Sequence, residues 1–123
     1  MCISPEERDR EIRGLERQLS NVLWIQLIMV IYEAILVTQL ANLNYESEGE
    51  KIVAAGVWTR VIGLFTEAAS FSQQINSSGD TSYWKKLIIT GVSIQSFGSA
   101  VEATGDVRTL QEDQQTGENE PAV

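Results

Sequence analysis

Residues 57–68 read VWTRVIGLFTEA, and two other stretches follow the same pattern: LWIQLIMVIYEA at 23–34 and VSIQSFGSAVEA at 92–103. The copies are offset by 34 and 35 residues, and each ends in Glu-Ala. A repeat of this period is typical of helical units that cannot bury their apolar faces alone and therefore stack. The sequence thus predicts an all-α fold built from a degenerate 34/35-residue repeat.

Capping signals divide the chain into three long helices. Ser4 and Ser47 each precede a glutamate by three residues, which is the spacing of a capping box. Residues 76–79 (NSSG) are a turn signal, and Asp80 or Thr81 can cap the helix that follows. Short connections make neighbouring helices antiparallel, so we predict an up-down-up bundle. The predicted helices cover about 5–42, 47–76 and 80–113.

The distribution of charge indicates a single helical domain, 1–113, with two unlike ends. Residues 6–17 alone hold nine charged side chains, and we predict that 1–20 is a charged overhang of the first helix. The chain ends in a Gly- and Pro-containing acidic stretch, and 114–123 is predicted to be a disordered tail. The middles of the helices carry almost no charge.

Composition excludes several kinds of function. A net charge of −8 disfavours nucleic acid, whose phosphates would be repelled, and anionic lipid surfaces. The chain has one cysteine and no histidine, so an intrachain disulfide, histidine-based catalysis and histidine-ligated zinc are ruled out. No motif implies a cofactor or joins a nucleophile to a base, and we predict that the protein is not an enzyme. The charged N-terminal stretch predicts no signal peptide and a cytoplasmic location.

Glycines recur at intervals of seven within the second and third helices. Glycine in a helix costs roughly 0.5–1 kcal/mol relative to alanine, so a regular series needs a structural reason. The spacing predicts close packing of these two helices with coiled-coil-like crossing, and a bulkier contact for the first helix. The predicted packing positions are Gly56, Gly63, Gly91, Gly98 and Gly105.

A polar residue and a glutamate, seven apart, occupy the same positions in every copy. Three interpretations are open: a solvated outer stripe, which we favour; a network of pairs between subunits; or carboxylates that converge on a cation such as Mg²⁺ or Ca²⁺. The residues of this polar stripe are Gln26, Glu33, Arg60, Glu67, Gln95 and Glu102.

The uncharged helix middles also predict that part of the outer surface is covered in use, most simply by self-association into a homo-oligomer. A membrane location is disfavoured, because the most apolar window, 22–43, contains Glu33 and the other two helices are more polar. The candidate contacts between subunits are Ile12, Leu15, Leu19, Trp24 and Trp58.

Residues 91–105, GVSIQSFGSAVEATG, resemble a repeated motif in an uncharacterised family of small, repetitive, helical bacterial proteins. Units of that family look like Gly-x-Trp-Ile-Gln-x-Ile-Gly followed by small residues. The resemblance covers about the central 85 residues and implies a helical repeat, but no activity, substrate or cofactor. The matching residues are Trp24, Ile25 and Gln26 in the first copy, Gly56, Trp58 and Gly63 in the second, and Gly91, Ile94, Gln95 and Gly98 in the third.

The sequence therefore favours a non-catalytic structural or protein-interaction module that associates with itself. The alternatives are a membrane-associated helical protein and a carboxylate-based cation-binding bundle. An unidentified protein partner is also compatible with an uncharged outer surface.

Overall fold

The computed structural model describes residues 4–77 and 79–119, with side-chain positions up to 115. Three long helices account for nearly all of these residues, which confirms the predicted all-α bundle. They are α1 (Pro5–Leu43), α2 (Glu48–Asn76) and α3 (Ser82–Asn119). Both α1 and α3 pack against α2, which is therefore the central helix.

The helix starts are fixed by the predicted caps. The Ser4 hydroxyl accepts a hydrogen bond from the backbone N–H of Glu7 at 3.2 Å, and the Ser47 hydroxyl accepts one from Glu50 at 3.3 Å. These bonds satisfy backbone donors that have no partner inside the helix. At the start of α3, the Asp80 carboxylate accepts hydrogen bonds from both the backbone N–H and the hydroxyl of Ser82.

The apolar core lies between α1 and α2. Leu23 and Leu27 of α1 pack with Leu64 and Ala68 of α2 in the main buried cluster. Branched and aromatic side chains fill the edges of this contact, so α1 is held by bulky interdigitation. The half-buried residues around the cluster are Trp24, Val30, Ile31, Val61 and Phe71.

The contact between α2 and α3 is made through glycine. Gly56 faces Gly98, and Gly63 faces Gly91, with the two backbones in direct contact. A Cβ atom on Gly56 would lie 2.6 Å from the backbone nitrogen of Glu102, a separation that real Cβ atoms essentially never show. Since only a residue without a Cβ allows this approach, the structure gives a reason for the seven-residue spacing.

Two further positions complete the glycine series. Gly105 faces Val53, and Gly49, which the sequence analysis did not include, faces Thr109 and Gly105. Gly49 precedes Gly56 by seven residues, so the spacing itself carries the signal.

The end of α3 differs from the prediction. The helix continues to Asn119, so the boundary predicted at 113 is wrong and residues 114–119 are helical. The residues after 110 are mostly Gln, Glu and Asp, and glutamine and glutamate in particular continue a helix readily. Residues 120–123 of the predicted tail lie outside the described part of the chain. At the other end of the molecule, residues 5–15 of α1 are all exposed, and Ser20 is the first buried residue of that helix.

Candidate functional site

Arg60 of α2 brings together glutamates from both neighbouring helices. Its Nη1 atom lies 3.0 Å from Oε2 of Glu102 in α3 and 3.7 Å from Oε1 of Glu33 in α1. The Arg60 and Glu102 side chains are 28% and 22% exposed, so this charge-assisted bond is partly shielded from water. The three residues, called the Arg60 bridge below, link all three helices at one level.

A second polar pair with the same arrangement lies about two helical turns further along α2. The amide of Gln95 in α3 donates a hydrogen bond of 2.6 Å to Oε1 of Glu67 in α2. In the Arg60 bridge, the polar member comes from α2 and the glutamate from α3, whereas here the roles of the helices are exchanged. The two contacts between α2 and α3 are therefore reciprocal.

The favoured interpretation of the polar stripe needs correction on this point. Of its six residues, Gln26 is exposed, and the side chain of Glu33 is 44% exposed. The five residues other than Gln26 lie at contacts between helices of the same chain, because the close approach that glycine permits brings their side chains within reach. They form pairs between helices of the same chain rather than a solvated edge.

The outer side of α1 is apolar over most of its length. Met29 and Leu36 lie on the side of the helix opposite the buried residues Leu27 and Ala34, and Met29 is 64% exposed. A helix that is apolar all round is normally covered on every side. Five exposed residues follow one another at intervals of seven and are called the α1 outer stripe below: Leu15, Val22, Met29, Leu36 and Leu43.

The predicted contacts between subunits divide into two groups. Ile12, Leu15 and Leu19 are exposed on α1, and Trp58 is partly exposed on α2. Trp24 is different, because its indole N–H donates to the Ser72 hydroxyl at 2.9 Å and its ring packs edge-on against Phe65. Its main contacts are therefore within the chain, between α1 and α2.

A polar groove of about 770 Å³ opens at the α1–α2 turn, and its lining groups hold helix ends together. The Ser47 hydroxyl and the backbone N–H of Gly49 both donate to the carboxylate of Glu112. These bonds, the Ser47 hydroxyl first, lower the pKa of Glu112 below its usual value. The groove thus fastens the start of α2 to the far end of α3.

Glu112→Gln is expected to lower the thermal stability at pH 7. Because the pKa is lowered in the folded protein, the stabilisation by the carboxylate is present at neutral pH and is lost as the pH falls through that lowered value. The difference in Tm between wild type and variant should therefore shrink in acid, measured by helical circular dichroism from pH 7 to pH 3. Asp113→Asn, at the exposed neighbouring position, is the control, and an equal effect of both variants would contradict the assignment.

Neither a metal centre nor a known relative explains these features. Within residues 4–77 and 79–119, no group of three or more His, Cys, Asp or Glu residues is placed to hold a metal ion. No family model, curated protein or solved structure matches the chain, so the family resemblance stays a prediction. Two of the described helices, α1 and α2, are long and apolar enough to cross a membrane by length and composition.

Proposed function

We propose that the protein is a non-catalytic structural module that acts by association through its apolar outer surface. The observation that carries this proposal is the α1 outer stripe, which lies opposite the side of α1 already packed on α2. Isolated exposed apolar residues are ordinary, but a continuous set along a whole helix is not.

The amount of buried apolar surface supports the same proposal. Among the described side chains, only eight apolar residues are buried, and four of these are alanines. Exposed large apolar residues are far more numerous, and they occur on every helix. An isolated chain would therefore bury little apolar surface for its length, and association supplies the missing burial.

Replacing Met29 and Leu36 together by lysine tests the proposal. Each apolar side chain contributes about 1.5–3 kcal/mol when it is fully buried, so the double variant is expected to weaken association on the order of a hundredfold or more. After lysis without detergent, a larger share of the total protein should be monomeric in the supernatant than in wild type, as measured by light scattering of that supernatant. Circular dichroism should show unchanged helix content.

The matched control places the same two charges at exposed α1 positions that are already polar. Asn21→Lys with Asn42→Lys should leave association close to wild type. A wild-type chain that is folded and strictly monomeric at micromolar concentration in detergent-free buffer would contradict the proposal outright.

A further inference from the structure

All three helices share a zone with very few charges. In α1 it covers residues 18–43, in α2 residues 52–76 and in α3 residues 87–105. Within this charge-poor zone the ionisable acids and bases are those of the Arg60 bridge and Glu67. The Arg60 and Glu102 side chains are 28% and 22% exposed and that of Glu33 is 44% exposed, so the described outer surface of the zone carries very little exposed charge.

The three segments lie at the same level in the fold. At one end, Arg108 of α3 pairs with Glu48 of α2 at 3.3 Å, and Asn44 after α1 bonds Glu50. At the other end, the hydroxyls of Ser20 in α1 and Ser72 in α2 are 2.8 Å apart. This contact lies three residues after Arg17, the last charged residue of the N-terminal part of α1. The charged residues of different helices are therefore gathered at two ends rather than staggered along the molecule.

The depth of the zone matches the apolar part of a lipid bilayer. The shortest segment, in α3, has 19 residues, which corresponds to about 28 Å at the helical rise of 1.5 Å per residue. The hydrocarbon core of a bilayer is about 30 Å thick. The longer segments of α1 and α2 extend into the region that headgroups would occupy.

Seven hydroxyl groups inside the zone are satisfied within their own helix, without water. Hydroxyls on all three helices bond to the backbone carbonyl four residues earlier, a geometry that allows Ser and Thr to face an apolar medium. The Trp58 indole N–H likewise donates to Thr38 at 2.8 Å. Among the described residues, no buried side-chain nitrogen or oxygen lacks a partner. The hydroxyls with this bond are those of Thr38, Thr59, Thr66, Thr90, Ser93, Ser96 and Thr104.

The core helix of a soluble protein can be as long and as apolar as α1 and α2, but it is mostly buried inside the protein, and the burial of α1 and α2 is low. Only 17% of the most apolar window of α1 is buried inside the molecule, and 33% of that of α2. The helix α3 is more polar, but it is packed on α2 through glycine along the entire zone. It must therefore share whatever environment α2 has.

We propose that the charge-poor zone spans a lipid bilayer, with the acyl chains as the cover of the part of the α1 outer stripe that lies within the zone. The inference rests on the proposed function, because it names what the apolar surface associates with. In this arrangement the Arg60 bridge is an intramembrane ion pair at the interface of three helices, where such groups are normally found. It departs from the cytoplasmic location expected from the sequence.

A second copy of the chain is the competing cover. One two-fold contact would cover one patch of the surface, whereas exposed apolar residues occur in the zone on every helix, for example Met29, Ile62 and Phe97. A lipid cover surrounds all three helices at once. The net negative charge points to the apolar interior rather than to an anionic headgroup layer as the source of binding.

Membrane extraction of the full chain tests the inference. After lysis, the protein is expected to sediment with membranes, to resist alkaline carbonate, and to float with phosphatidylcholine vesicles after reconstitution. Release by carbonate as a discrete soluble oligomer would overturn the lipid assignment while leaving the proposed function standing. Release as a folded monomer would overturn both.

Two single lysine variants distinguish lipid from a second copy. Met29 and Leu15 belong to the same stripe and are equally exposed, at 64%, but Leu15 lies outside the charge-poor zone. A lipid cover predicts that Met29→Lys reduces the membrane-bound fraction at least tenfold, whereas Leu15→Lys leaves it unchanged. Equal losses from both variants would overturn the inference, because a helical contact between copies would use both positions.

Discussion

Gly63→Ala is expected to destabilise the protein, although alanine is the better helix former. A Cβ atom at this position would lie 2.6 Å from the carbonyl oxygen of Gly91 and 2.7 Å from the backbone nitrogen of Gln95. Both obstacles are backbone atoms, so the two helices must move apart. Overpacking of this kind typically costs about 1–3 kcal/mol, which exceeds the gain in helix propensity. Chemical unfolding followed by circular dichroism, in the medium in which the protein is purified, measures the change.

Gly14→Ala supplies the matched control. Gly14 also lies in a helix, but nothing is within 4 Å of the place where its Cβ would be. That substitution is expected to stabilise the helix by up to about 1 kcal/mol, because only the propensity term remains. The assignment of Gly63 to a close helix contact fails if both variants shift stability in the same direction by similar amounts. Gly63→Leu should be more damaging than Gly63→Ala.

Arg60→Met is the second change with a large expected effect. Methionine keeps much of the apolar volume but leaves the carboxylates of Glu33 and Glu102 without their shared cation. Hydrogen bonds to charged groups contribute about 1.5–3 kcal/mol, and the loss is expected in that range because the bridge is partly shielded from water. The free energy of unfolding reports the effect.

The comparison for Arg60 is Arg108→Met at the exposed end of the α2–α3 contact. The Arg108 side chain is 48% exposed and pairs with Glu48 at 3.3 Å and with Glu112 at 3.7 Å, so each of these exposed ion pairs is expected to contribute only about 0–1 kcal/mol. The double variant Arg60→Met, Glu102→Gln should lose less free energy of unfolding than the sum of the two single variants. The reason is that Glu102→Gln removes the carboxylate that Arg60→Met leaves without a cation. Strict additivity would mean that the bridge is not a coupled unit.

Much of the fold could be predicted because its signals are local. The caps at Ser4 and Ser47 are short-range patterns, and the helix starts they predict agree with the structure to within one residue. The end of α3 has no such local signal, since Gly117 is a single weak breaker among good helix formers. The prediction stopped too early for that reason.

The polar contacts were harder to predict, because they depend on register between helices. The sequence identifies Arg60, Glu67, Gln95 and Glu102 as equivalent repeat positions, but not which residue meets which. The pairing of these residues is determined by the packing of glycine against glycine, which fixes the position of α3 along α2. The contact between Ser47 and Glu112, 65 residues apart, was missed for the same reason.

The reciprocal contacts of α2 and α3 also bear on how the chain recognises itself. Each helix presents glycines at intervals of seven beside a polar residue and a glutamate, so the two surfaces have the same spacing of these residues. Two α3 helices from different chains could match in the same way, with Gln95 of each opposite Glu102 of the other. Shape complementarity alone therefore does not make α3 pack on the α2 of its own chain. The short connection between α2 and α3 favours that pairing, because it keeps the α2 of the same chain at a far higher local concentration than the α2 or α3 of any other copy.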